Sequence, residues 1–376
     1  MTDFHAQLPA MLDFLRRLVE TESPSHDKAA VDRVGAIVAE ECRRLGAQVE
    51  IIPNASAGDH ILARFSPQSD ESASQKPILT LCHMDTVYPL GTLDKMPFYS
   101  KDDKTYGPGV LDMKGGIVIT LFAIAALKEA GQLKRPITCL FTSDEEIGSN
   151  TSRAHIEHLA RDAEVVLVLE SGLLDGALKT WRKGVGDFVV RVWGRAAHSG
   201  GEHEKGRNAI EEMAHQVLAI QKLTDYSRGT TVNVGVIHGG IAENVVPDYV
   251  EARGDIRVLI PEEADRILTA LKTLHPVTPD TRLEVSGELN RPPMPFDATM
   301  RAAFARARQI AANIGMDLKA GGSGGGSDAN FVAPLGVPVL DGLGAVGADY
   351  HSEREWIYTA SLAERTALVE ALIREW

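Results

Sequence analysis

Two residues at the end of one apolar run are the first in the sequence that could do chemistry. They are His83 and Asp85 in Ile78-Leu79-Thr80-Leu81-Cys82-His83-Met84-Asp85-Thr86-Val87. The run is bounded by Pro77 and Pro89 and reads as a strand. Positions i and i+2 of a strand point to the same side. An imidazole at 83 can therefore face a metal ion while the carboxylate at 85 accepts the proton of its other nitrogen. That pairing fixes the tautomer and raises ligand basicity. A histidine closing a strand beside a solvated aspartate is the plainer alternative.

Further donors follow along the chain. Asp112 comes after a loop containing Gly107, Pro108 and Gly109, the run 136–142 ends in Ser143-Asp144-Glu145-Glu146, and the run 165–169 ends in Glu170. With His351, this makes five candidate ligands: His83, Asp112, Glu146, Glu170 and His351. Histidine with carboxylate suits zinc. Two metals sharing a carboxylate would stand about 3.5 Å apart, the spacing of co-catalytic hydrolases. Adjacent residues on an extended backbone point opposite ways, so Glu145 and Glu146 divide into one ligand and one general base.

The elements that must position these residues can be read from periodicity. Apolar residues recur at helical spacing over 5–21 and 27–45, and Gly46 stops the second helix. Strands are expected at 49–52, 61–65, 78–87, 136–142 and 165–169, with helices at about 116–130 and 152–161. The polar stretch Ser66 to Lys76 reads as a surface turn. Strands apolar on both faces, alternating with helices, describe an α/β fold with a mixed, mostly parallel sheet covered on both sides. Functional groups of such sheets gather at the carboxyl ends of the strands. His83, Glu145, Glu146 and Glu170 all lie there.

After about residue 183 the pattern changes to half-exposed strands at 186–193, 230–236, 249–259 and 282–285, with helices at 208–223 and 261–274. The order β-α-β-β-α-β predicts an inserted ferredoxin-like α+β domain over 183–290. Residues 1–182 and 291–376 then form the first domain, with a helix at 296–314, a glycine loop at 321–326, a strand at 337–340 and a closing helix at 361–375.

Composition limits the classes of function. The 376 residues carry 39 basic and 52 acidic side chains, a formal charge of −13. That balance argues against nucleic acid or an anionic membrane surface as partner. Three cysteines, Cys42, Cys82 and Cys139, cannot form a disulfide framework and read as buried thiols. The amino terminus lacks a basic start followed by an apolar stretch, and the run from Gly116 to Leu127 is short for a membrane span. A cytoplasmic protein is the expectation.

The segments Leu-Cys-His-Met-Asp-Thr-Val (81–87), Gly-Pro-Gly-Val-Leu-Asp-Met-Lys-Gly-Gly (107–116) and Thr-Ser-Asp-Glu-Glu-Ile-Gly-Ser (142–149) resemble successive motifs of the di-zinc aminoacylase/carboxypeptidase metallopeptidases. Ala-Ala-His-Ser-Gly (196–200) and Tyr-His-Ser-Glu (350–353) continue the series over essentially the whole chain. Within that family the resemblance is closest to bacterial glutamate carboxypeptidases of the folate-cleaving kind. The resemblance implies two Zn²⁺ per chain, with Co²⁺ or Mn²⁺ able to take the same ligands. It assigns His83 and Glu170 to one metal, Glu146 and His351 to the other, and Asp112 to the bridge. It also implies a cis peptide after Asp112, Asp85 as the partner of His83, Glu145 as general base and His198 as an oxyanion donor, commonly from the partner subunit of a homodimer formed through the inserted domain.

For the substrate, a small molecule or short peptide with a free carboxylate, the resemblance points to Arg257 and Asn244. A planar guanidinium can give a carboxylate two parallel hydrogen bonds. Arg291 and the group Lys179, Arg182 and Lys183 are candidates for a second carboxylate, or are hinge and surface charges. The backbone amides of the glycine loop, Gly325 among them, could hold a carboxylate as well. The stretch after Glu170 departs from the carboxypeptidase pattern. The expected activity is hydrolysis of an amide bond next to a free carboxylate, releasing a C-terminal amino acid, glutamate foremost. An N-acyl amino acid deacylase of the acetylornithine or succinyl-diaminopimelate type is the alternative. A metal-stabilised binding protein is the non-enzymatic one.

Overall fold

A computed structural model describes residues 2–67 and 75–376. Most of the expected 66–76 turn therefore lies outside the described residues. The chain divides into two compact units, one of Met1–Trp181, Phe296–Gly322 and Ser327–Trp376, the other of Arg182–Pro295 and Ser323–Gly326. The second unit thus extends past the expected limit of 290 and takes in four residues of the glycine loop.

The first unit opens with α1 (Leu8–Glu20) and α2 (Lys28–Arg44). Asp27 caps α2, its side chain accepting the Ala30 N–H at 3.0 Å. The chain continues through β1 (Gln48–Ile52), β2 (His60–Phe65), β3 (Ile78–His83), β4 (Tyr99–Lys101), β5 (Lys104–Tyr106), α3 (Gly115–Glu129), β6 (Ile137–Thr142), α4 (Arg153–Asp162), β7 (Val165–Val168) and β8 (Leu178–Arg182). It then crosses into the second unit.

That unit comprises β9 (Gly184–Trp193), α5 (Ala209–Gln221), β10 (Thr231–Gly239), β11 (Tyr249–Val258), α6 (Pro261–Lys272) and β12 (Arg282–Arg291). Its sheet runs in the order β10-β11-β9-β12 with every pairing antiparallel. One face buries Phe188, Val190, Val192, Ala252 and Ile256 together with Met213 and Ile267 of the two helices. β12 pairs with β9 as far as Arg291 opposite Val185, across a register shift between Leu289 and Arg291, so the unit reaches beyond 290.

On return the chain forms α7 (Ala298–Asn313), β13 (Ala320–Ser323), α8 (Ala329–Val332), β14 (Val339–Asp341), β15 (Gly347–Ala348), β16 (Trp356–Tyr358) and α9 (Thr359–Glu375). The main sheet of the first unit is ordered β1-β2-β6-β3-β7-β14. Its β6, β3, β7 and β14 are parallel to one another, and β1 and β2 complete one edge antiparallel. Every residue of β3, β6 and β7 is buried, as a sheet covered on both faces demands. With the turn before it, α3 makes a 20-residue segment (Val110–Glu129) whose most apolar 18 residues are 83% buried. It is apolar all round because it is surrounded. Cys42, Cys82 and Cys139 are free, buried thiols.

One local expectation needs correction. The glycine loop is partly a strand: Gly321 and Gly322 lie in β13, which pairs with β8. A Cβ on Gly322 would stand 1.8 Å from the Trp181 ring, so only glycine lets the strand lie against that indole. The small sheet β15-β16-β5-β4 also has strands of two or three residues, too short to show a period.

Candidate metal centre

His83 ends β3, Glu145 and Glu146 follow β6, and Glu170 follows β7, so three adjacent parallel strands deliver them to one edge. Asp112 lies in a turn just ahead of α3, and the Asp112–Met113 peptide is cis. His351 sits in the loop between β15 and β16 with a positive φ of 60°.

These five side chains form two groups that share Asp112. His83 Nε2 lies 3.2 Å from Asp112 Oδ1 and 3.5 Å from Glu170 Oε1. His351 Nε2 lies 3.1 Å from Asp112 Oδ2 and 3.3 Å from Glu146 Oε2. A tetrahedral metal with ligands at about 2.05 Å has ligand–ligand edges of about 3.3 Å. The imidazole–carboxylate distances of both groups match that spacing, and Asp112 offers one oxygen to each.

The electrostatics fit cations at the same places. Burial disfavours charge on His83, yet the carboxylates of Asp112, Asp85 and Glu170 outweigh it and hold the imidazole well above its ordinary pKa. Asp112 and Glu146 raise His351 to about 10. Burial and the neighbouring Asp112 charge push Glu146 up to about 7. The cluster thus retains protons where cations would otherwise balance three carboxylates. Glu146 Oε1 is buried and has no hydrogen-bond partner among the described residues, as an oxygen awaiting a metal would be. The residues present fit two divalent ions.

The surroundings differ in detail from what spacing suggested. His83 Nδ1 faces the main-chain oxygen of Asp85 at 2.9 Å, with the carboxylate farther off at 3.6 Å. The Asp85 carboxylate, fully buried, instead accepts the Ser25 hydroxyl at 2.7 Å and the main-chain N–H groups of Glu145 and Glu146, each at 3.2 Å. Residues 145–147 form a 3-10 turn rather than extended chain. Successive side chains of such a turn still diverge, by about 120°. Glu146 joins a ligand group and Glu145 belongs to neither.

His198, Asn244, Arg257, Arg291 and Gly325 lie in the second unit. His198 Nδ1 accepts the main-chain N–H groups of Gly200 and Gly201, both at 3.1 Å, which leaves the ring proton on Nε2. Asn244 is brought beside it, since the 197–199 and 244–246 segments pair through their backbones. The Arg257 guanidinium lies on Asp255, with Nε 3.0 Å from Oδ1, and reaches the Gly324 carbonyl at 3.3 Å. Arg291 is buried beside Gly326.

Gly325 departs from the expected amide cradle. Its N–H points to Ser323 Oγ at 3.0 Å, and its carbonyl accepts Arg182 at 3.1 Å. Nor do Lys179, Arg182 and Lys183 form a surface cluster. Lys179 and Arg182 are buried, Lys179 with Nζ 3.1 Å from Ser171 Oγ. Ser25, Tyr88, Lys114 and Glu355, which line the ligand-bearing segments, were not singled out by the sequence reading. Lys114 lies within the 107–116 motif, Tyr88 and Glu355 closely follow the 81–87 and 350–353 motifs, and Ser25 is far in sequence from all of them.

Residues 79–375 match the model of peptidase family M20/M25/M40. The chain belongs to this family. It is 30% identical over 381 residues to carboxypeptidase G2 of Pseudomonas sp., an alignment covering 98% of this chain and 89% of that protein. It is also 32% identical over 270 residues to acetylornithine deacetylase of Salmonella arizonae, covering 67% and 68%. Among solved structures, aminopeptidase PepT of Bacillus cereus superposes with a TM-score of 0.77 at 24% identity, covering 98% of each chain. This M20 family member is a hydrolase of the peptidase and amidohydrolase class, and its relatives include both carboxypeptidases and deacetylases.

Proposed function

We propose that this protein uses two zinc ions to hydrolyse an amide bond next to a free carboxylate and releases a C-terminal amino acid, glutamate foremost. The observation that carries the reading is the pair of ligand groups sharing Asp112, with Glu145 adjacent to a ligand yet outside both groups. A metal that only stabilised the fold would need no spare carboxylate, which speaks against the binding-protein alternative.

His83, Asp112 and Glu170 would hold one ion, and Asp112, Glu146 and His351 the other. When bound, the two ions supply Lewis acidity to a substrate carbonyl and bring the pKa of a water to about 7. Glu145 takes the proton of the attacking water and passes it to the leaving amine nitrogen. Asp85 holds both main-chain N–H groups of the turn that presents Glu145 and Glu146. His198, with its proton on Nε2, donates to the oxyanion. Arg257 and Asn244 orient the substrate carboxylate, and Arg291 answers a second one.

The deacylase reading shares these metals and differs in the pocket, and the similarity to acetylornithine deacetylase keeps it in play. The test is amine release from a glutamate-terminated peptide, N-acyl-glutamate, N-acyl-leucine and N-acetylornithine by the zinc-loaded protein. Cleavage confined to the glutamate substrates supports the carboxypeptidase reading. Preference for the acetylated amino acids replaces it with the deacylase. Two zinc ions per chain without turnover of any of them would reject both.

A homodimer through the second unit is part of this proposal. Its edge strand β10 and the segment after it expose Val236, Ile237 and Ile241, and α5 exposes Ile210 and Leu218. An open apolar edge invites pairing with a second copy. Light scattering on Ile237→Lys should show a monomer where the parent is dimeric. Mixing inactive His198→Ala and Glu145→Gln chains should restore part of the activity if His198 acts across the dimer.

A further inference from the structure

The Glu355 carboxylate is completely buried and accepts four donors. Oε1 takes the main-chain N–H of Leu111 at 2.7 Å and of Asp112 at 3.1 Å. Oε2 takes the N–H of Gly109 at 3.1 Å and the Tyr88 hydroxyl at 2.6 Å. Three of the donors are therefore backbone amides of the short turn that presents Asp112. That turn can approach so closely partly because Gly109 has a φ of 75°, and a Cβ there would stand 2.9 Å from Thr86. Its far end is held by Lys114, whose buried Nζ donates to the carbonyls of Leu18 and Thr21 at 2.9 and 3.0 Å.

Glu355 also belongs to the segment that carries His351. The strand after it, β16, pairs with β5, so the chain entering the Asp112 turn and the chain leaving the His351 loop are in fixed register. Tyr88 lies three residues after Asp85, and its hydroxyl also sits 2.9 Å from the Ser352 carbonyl. One carboxylate and one phenol thus join the segments bearing His83, Asp112 and His351. Asp112 must serve two ligand groups at once, with oxygens 3.2 and 3.1 Å from two different imidazoles. A bridging ligand tolerates displacement poorly, since geometry within about 0.5 Å is needed at each centre.

We propose that Glu355, gripped by Tyr88, is a positioning residue for the two-metal centre, setting how the Asp112 carboxylate is offered to both ions. The inference rests on reading His83, Asp112, Glu146, Glu170 and His351 as metal ligands. A carboxylate suits the task because both its oxygens accept. Glutamine at 355 would keep the shape but turn an NH₂ toward the Gly109 N–H.

The test is a cobalt titration of metal-free wild type, Glu355→Gln and Tyr88→Phe, followed by calorimetry and by the visible absorption of bound Co²⁺. Circular dichroism and melting of the metal-free forms serve as folding controls. Glu355→Gln should weaken both cobalt affinities by about 10–100-fold, as loss of a ligand-orienting partner does. Tyr88→Phe should weaken them by about fivefold, one hydrogen bond's effect. Lower melting temperatures with unchanged cobalt affinities would reduce Glu355 to a fold-stabilising role and overturn the proposal. If Glu355→Gln does not fold, Tyr88→Phe decides, and an unchanged affinity in that variant overturns it. The affinities are read without substrate. A wild type that hydrolyses no amide therefore overturns the functional reading, and the clamp is still judged on binding.

Discussion

The carboxylate of Asp85 accepts the main-chain N–H of Glu146 at 3.2 Å. His83, two residues earlier, turns Nδ1 to the carbonyl of the same aspartate. A single residue therefore ties the strand end that carries one ligand to the turn that carries another. Asp85→Asn keeps one accepting oxygen and loses the other. It should lower kcat and metal retention by about 10–100-fold. Ser25→Ala, which removes one neutral donor to that carboxylate, should cost less. Metal content after gel filtration, read alongside kcat, checks both, and a fully active, metal-replete Asp85→Asn would remove Asp85 from the site.

Glu145 and Glu146 are neighbours with different work. Glu145→Gln should keep two metals per chain and lose about 10²–10⁴ in kcat, the range for a general base. Glu146→Gln should lose one metal, because it gives up a ligand beside His351. Elemental analysis of both variants separates the roles. Equal metal loss in the two would show that the division is wrong.

Arg257 shares its guanidinium with Asp255. A substrate carboxylate has to compete with that partner. Asp255→Asn should lower KM for substrates with a free terminal carboxylate, and Arg257→Ala should raise it by about tenfold or more, with little effect on a C-terminally amidated analogue. A KM insensitive to Arg257 would place the carboxylate elsewhere.

Stability of the second unit should depend on pH through Glu263. Hydrogen bonds from Arg266, then from Arg228 and Thr230, bring its pKa down to about 2, below the ordinary carboxylate value of about 4.3. The lowered value means that this stabilisation is present above about pH 4.3 and is lost as pH falls toward 2. Glu263→Gln should be less stable by about 1–2 kcal/mol near neutral pH, an amount reduced by the solvent around both arginines. The gap should close by pH 2, and urea unfolding across that range measures it. A constant difference at all pH values would assign the effect to packing.

The sequence by itself determined the alternation of strands and helices, the parallel core and the change of pattern near residue 183. Apolar period and length are local properties, and β3, β6 and β7 are buried end to end as that period required. It also marked His83, Glu146 and Glu170 at strand ends and Asp112 after a glycine-framed loop, and His351 through the family-like Tyr-His-Ser-Glu segment. What only the tertiary structure decided was pairing between residues far apart in the chain. Which oxygen of Asp112 faces which histidine, the Asp85 carboxylate accepting two backbone amides while standing 3.6 Å from His83, and Glu355 reaching 243 residues back to the Asp112 N–H leave no local pattern. The same holds for Gly322, whose missing side chain is explained only by the Trp181 ring against it. Local periodicity specifies elements, whereas hydrogen-bond partners and close approaches are set by how those elements pack.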